Sequence, residues 1–139
     1  MRDLKDRPFH GVIKEFDHWI VLFGGRQVTI GSLVIMSKDL SKASLDSVAP
    51  EAWAEFGVVT GSVEDVLSRA FGAEKFNYLA LMMVDLEVHF HVISRYSRPV
   101  AFMGREFVDP DWPGVTKRIA MELEQEVLDA IKSRVMSFV

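Results

Sequence analysis

From Glu87 to Val92 the chain alternates ionisable and apolar residues, Glu87-Val88-His89-Phe90-His91-Val92, and a period of two is the mark of a strand with two chemically different faces. In an extended strand Glu87, His89 and His91 point one way and Val88, Phe90 and Val92 the other, so the apolar set predicts the side of the core. Neighbours on the polar face stand about 6.6 Å apart along the strand, close enough to share a ligand or a charge. A solvated face of an antiparallel sheet has the same pattern. So does a divalent-metal site, because carboxylate and imidazole suit several first-row ions. A cupin-like ligand set would require a glutamate four or five residues after His91, where Arg95 and Tyr96 stand, and no second cluster of ligands occurs.

The rest of the chain supplies partners for such a strand. Val12 to Phe23 is rich in Val, Ile, Phe and Trp and meets Gly24-Gly25, which predicts a strand and a turn. Gln27 to Ser37 predicts a second strand ended by Lys38-Asp39, the two forming a hairpin. Pro50 suits a first helical turn, and Trp53, Phe56, Thr60, Val63, Leu67 and Phe71 recur at spacings of three and four before Gly72. A helix is therefore predicted over Pro50 to Phe71. Within it Gly57 and Gly61 each lower the propensity by up to about 1 kcal/mol, unless they admit another backbone at close range. Phe76 to Val84 and Glu87 to Arg95 predict two strands around a tight Asp85-Leu86 connection. After the Pro- and Gly-punctuated segment Ser97 to Gly114, Val115, Ile119, Leu123, Val127, Ile131 and Val135 form a stripe that predicts a C-terminal amphipathic helix, about 115–137.

With 139 residues, 49% of them hydrophobic and 26% charged, the chain has the size and balance of one folded domain, taken as 1–139. The absence of cysteine excludes disulfides, thiolate metal sites and sulfur catalysis. Met1 to Phe9 is charged and has no signal-peptide core, and no apolar run approaches a membrane span, so a cytoplasmic protein with no membrane partner is expected. A net charge of -4 without a Lys/Arg cluster argues against broad nucleic-acid binding. A local anion site stays compatible with these features.

Glu87-Val-His89-Phe-His91-Val-Ile-Ser-Arg95-Tyr96 resembles the signature of the histidine-triad (HIT) superfamily, three histidines alternating with apolar residues and followed by two more apolar ones. Ile30 to Lys38 is similar to that family's second strand, Leu45 to Phe56 to the start of its helix, and Phe76-Asn-Tyr-Leu to the strand before the triad. The resemblance covers about residues 12 to 109. It implies an α+β fold, with an antiparallel sheet of about five strands, one long helix packed on it and the C-terminal helix as an extension. It further implies a homodimer and a nucleotide-derived substrate. The reaction would be hydrolysis or transfer at a nucleoside α-phosphate, of dinucleoside polyphosphate or phosphoramidate type, through a nucleotidyl-histidine intermediate and without a cofactor.

Carried over position by position, the nucleophile falls on His89 and the third histidine on His91, while Glu87 stands where the first is expected. A carboxylate repels phosphate where an imidazole would donate to it. In similar enzymes, however, the main-chain carbonyl of that first position orients the nucleophile's ring, and Glu87 retains a carbonyl. A neighbouring carboxylate also favours protonated imidazole, which binds phosphate but cannot attack it. A nucleotide-binding or sensing protein without turnover is therefore the rival reading. Ser32 stands where many members carry a histidine after glycine, and Asp39 near another often basic position. Ser94 replaces a common proline, and Met82 to Leu86 is too short for the usual Asn and Gly-Gln phosphate contacts. Among further residues Arg95 suits bidentate phosphate binding and Trp112 suits base stacking. Arg98 and Phe102 share those two chemistries, and His10 and His18 are isolated.

Overall fold

A computed structural model describes residues 9–139, with side chains from residue 11 onward. The charged segment before Phe9 and the side chain of His10 lie outside the described residues. Among the described residues seven strands form, β1 (Phe9–Glu15), β2 (Trp19–Gly24), β3 (Leu33–Ser37), β4 (Lys75–Leu79), β5 (His89–Arg95), β6 (Val100–Phe102) and β7 (Arg105–Phe107), with two α-helices, α1 (Pro50–Phe71) and α2 (Gln125–Met136). The first five strands make one antiparallel sheet in the order β1-β2-β3-β5-β4, and β6-β7 is a separate ribbon. This is the expected α+β architecture: five strands, one long helix and a C-terminal helix.

Alternation sorts the sheet into two faces. Val21 and Ile35 are directly paired, as are Phe23 and Leu33, and with Trp19, Phe90 and Val92 they form the face covered by α1. The helix begins at Pro50 and ends where Gly72 takes a left-handed φ of 75°, its N–H donating to the Ser68 carbonyl. Both ends match the sequence reading. Trp19 Nε1 donates to the Ala52 carbonyl at 2.7 Å in the buried seam, and Trp53, Phe56 and Phe90 pack around the Trp19 ring. The histidine-bearing face is floored by Ile20, Leu22, Val34 and Met36, with His91 paired to Val34 and His89 to Met36.

Four local readings are corrected by the structure. The single strand expected over Val12 to Phe23 folds back on itself, with Glu55 of α1 accepting from the Asp17 and His18 N–H groups in the turn. The strand expected from Gln27 starts only at Leu33, because the Gln27 side chain binds the backbone of the preceding residues into a turn. No tight hairpin joins β4 to β5. Residues 80–88 loop between them, and Glu87 and Val88 precede the strand. The C-terminal helix is half as long as its stripe suggested. Val115 is 89% exposed and Ile119 73% exposed in a non-helical segment, whereas Val127, Ile131 and Val135 are buried. Periodicity extended the helix because residues 115–124 fit the stripe by chance, while Met121 N–H is in fact spent on the Gln27 carbonyl.

Candidate functional site

β5 carries His89 and His91 on the face away from α1, with ring centroids 5.0 Å apart and nearly perpendicular. Val88 and Val92 are fully buried and Phe90 half-buried on the opposite face, as alternation requires. His89 is itself buried, and its Nδ1 lies 2.7 Å from the Glu87 carbonyl oxygen. A carbonyl oxygen only accepts, so Nδ1 must carry the hydrogen, and in the neutral ring the lone pair is then at Nε2. Glu87 acts here through its main chain. Its side chain is also buried, so residue 87 is not part of a solvated polar face.

His91 lines a pocket together with Gly24, Gly25, Arg26, Ser32 and Arg118, closed below by Val28, Leu33, Val34 and Ile93. The pocket is a cleft open to solvent, with about 70 Å3 of enclosed space. Burial, then the proximity of His89, then the Arg118 and Arg26 charges push the His91 imidazole down to about 4, against the opposing charge of Asp85. His91 is therefore neutral at pH 7, and the expectation of a carboxylate-favoured cation does not hold at this residue.

The rim of the pocket is one hydrogen-bonded unit. Gln27, 1% exposed, donates from Nε2 to the carbonyls of Gly24 at 2.6 Å and Ser32 at 2.9 Å. Its Oε1 accepts from the N–H groups of Gly31 at 2.7 Å and Ser32 at 3.0 Å. A Cβ on Gly24 would lie 2.8 Å from the Ser32 oxygen, and one on Gly31, at φ 94°, would press on Leu67 and Phe71. Glycine is needed at both points for the turn to close.

Of the other residues singled out from sequence, Ser32 reaches the pocket, but its hydroxyl donates to the Thr29 carbonyl and accepts from Val28 N–H. Arg95 does not reach it. Its guanidinium is buried against Asp109 at 2.6 Å and donates to Asn77 and to the Gly114 carbonyl, so its donors serve the fold. Burial opposes ionisation of Asp109, but the Arg95 hydrogen bond, the Tyr96 and Asp111 N–H groups and the Arg95 charge together hold its carboxyl below the usual range. Trp112 is half-buried in the turn before Gly114 and is not among the pocket-lining residues. Phe102 packs on Phe71 and Phe107. Among the described residues no group of three His, Asp or Glu is arranged to hold a metal ion, so Glu87, His89 and His91 do not form the ligand set that alternation alone permitted.

Sequence reasoning missed Arg26, Gln27 and Arg118. Gly24-Gly25 before Arg26 was a usable signal, since paired glycines let a ligand approach the backbone. Arg118 had none, because it sat inside the presumed helix.

The architecture defines a class, the fold of histidine-triad proteins, and the two histidines stand on β5, between the central β3 and the edge strand β4. Solved structures with this fold include a histidine triad protein from Sinorhizobium meliloti (22% identity, TM-score 0.71, covering 92% of this chain and 88% of that one) and one from Marinobacter aquaeolei (18%, 0.72, 94% and 88%). A third is a hypothetical histidine triad nucleotide-binding protein from Sulfolobus tokodaii (14%, 0.71, 91% and 80%). No protein-family model matches the sequence, and no curated protein does either.

Proposed function

We propose that this chain is a nucleotide-binding protein of histidine-triad type, a single 1–139 domain, that cleaves or transfers at a nucleoside α-phosphate with His89 as nucleophile. One observation carries the reading: Nδ1 of His89 is held on the Glu87 carbonyl, which leaves Nε2 as the attacking nitrogen. In the proposed reaction the neutral Nε2 forms a bond to the α-phosphorus while the bond to the leaving group breaks in line. Water then displaces the histidine, releasing the nucleoside phosphate. His91, neutral and 5.0 Å from the His89 ring, is placed to donate to the phosphoryl oxygens as charge develops. The apolar pocket floor suits a base. The leaving group is of polyphosphate or phosphoramidate type, and no metal or cofactor enters any step.

The chain is further proposed to be a cytoplasmic homodimer. β4 ends the sheet, and beside it Met83, Val84 and Leu86 are 79%, 87% and 61% exposed, an apolar border suited to a second copy. No helix among the described residues is long and apolar enough to cross a membrane.

A second reading, nucleotide binding without turnover, is favoured by the buried carboxylate at 87. Turnover of mononucleotides, dinucleoside polyphosphates and adenosine phosphoramidates separates the two, with denaturing mass spectrometry to trap the adduct. His89→Asn is expected to abolish hydrolysis and spare binding. Unchanged hydrolysis in that variant, with no adduct in the parent, would overturn the nucleophile assignment.

A further inference from the structure

The pocket contains more positive charge than the histidine chemistry uses. Arg26 follows the end of β2 directly after Gly24-Gly25, and Arg118 reaches the same pocket from the segment 115–124. Both are fixed by one residue. Gln27, next to Arg26, organises the turn through its side chain, while its carbonyl accepts Met121 N–H at 2.8 Å and so pins the segment that bears Arg118. Arg118 holds a left-handed φ of 57°, uncommon for a side chain of this size, with its N–H donated to the Thr116 hydroxyl. Strained backbone of this kind concentrates at functional sites.

Arg69, Arg95 and Arg105 pair with Asp65, Asp109 and Glu124. Among the described residues Arg26 and Arg118 pair with no carboxylate, and none of the pocket-lining residues is acidic. Both cations nevertheless act on His91, so they lie within electrostatic reach of each other's target. Arg26 is exposed and Arg118 half-buried at the open pocket, so both guanidinium groups are accessible to an incoming anion.

We infer that Arg26 and Arg118 form an anion clamp across the pocket, holding phosphate oxygens of the ligand and supplying from outside the strand the positive charge that Glu87 withholds within it. The inference rests on the nucleotide reading for the identity of the ligand, although the clamp itself requires only a phosphate anion. A guanidinium suits this task because it stays charged and presents paired donors. The site would therefore rank ligands by phosphate charge: adenosine weakest, AMP stronger, ADP and ATP stronger again, with inorganic pyrophosphate binding unaided by a base.

The test is calorimetric titration of the full chain with adenosine, AMP, ATP and pyrophosphate at two salt concentrations. Arg26→Gln and Arg118→Gln should each weaken ATP and pyrophosphate binding on the order of ten- to a hundredfold. Adenosine binding should be unchanged, and the Lys variants should recover part of the loss. An unchanged melting temperature without ligand confirms that the variants fold. Failure of the parent to bind pyrophosphate or ATP, or equal affinity in parent and both Gln variants, overturns the clamp. Failure of the nucleophile reading is a separate result: His89→Asn would then hydrolyse normally while the arginine effects persisted.

Discussion

Replacing Gln27 tests whether the pocket rim depends on one buried amide. In Gln27→Ala the N–H groups of Gly31 and Ser32 and the Gly24 carbonyl lose their side-chain partner, whereas the Ser32 carbonyl keeps the Gly24 N–H at 3.1 Å. Each buried unsatisfied group costs about 1 to 3 kcal/mol, so the two amides alone set a range of about 2 to 6 kcal/mol. The space left by the amide is polar-lined and able to admit a water, which brings the expected loss to about 2 to 4 kcal/mol. Gln27→Leu keeps the volume and excludes that water, so it is expected to cost more, about 3 to 5 kcal/mol, although leucine is the more hydrophobic residue. That order reverses what burial of apolar area alone would give. Urea unfolding at pH 7 with an unchanged m-value measures both. For a domain of this size the melting temperature should fall by roughly 3 to 5 °C per kcal/mol. The reasoning is refuted if Gln27→Leu is the more stable variant, or if either lies within about 0.5 kcal/mol of the parent.

Arg95→Met should cost about 3 to 5 kcal/mol because it strands a buried Asp109 carboxylate, and adding Asp109→Leu should recover part of it; stability unchanged with nucleotide affinity lost would return Arg95 to the ligand site. Because the folded His91 imidazole titrates near 4, below its unfolded value of about 6.5, the unfolded chain takes up the proton first as pH falls. Stability should accordingly drop between about pH 6.5 and pH 4, by roughly 1 to 2 kcal/mol after solvent screening, and His91→Gln should flatten that slope in pH-dependent urea unfolding. Gly57 and Gly61 are exposed on α1, and an added Cβ meets nothing within 4 Å. Alanine at either should stabilise by about 0.5 to 1 kcal/mol in urea, and weakened association by sedimentation would instead show that a second subunit's backbone lies there. Glu87→His should raise nucleotide affinity and turnover on the order of five- to a hundredfold, since a donor worth about 1 to 3 kcal/mol replaces a repelling group; lower turnover in a steady-state assay would mean that the carboxylate works in the reaction.

The sequence alone determined what depends on local periodicity and on residues with restricted conformations. Alternation through 87–92 assigned Val88 and Val92 to the core and the histidines to the other face. Pro50 and Gly72 bounded α1 because one pre-sets the helical φ and the other tolerates the left-handed exit. The resemblance to the histidine-triad signature implied the Glu87 carbonyl as the acceptor that orients His89, since a main-chain acceptor survives any substitution there. Tertiary structure decided what no period encodes. Where the 115–135 stripe stops being helix depended on Gln27 offering a carbonyl to Met121, a contact across 94 positions of chain. Whether Arg95 faced a ligand or a carboxylate depended on the placement of Asp109 after the β6-β7 ribbon. Arg26 and Arg118 meet at one pocket for the same reason: a long-range hydrogen bond brings together residues whose local sequence says nothing of each other.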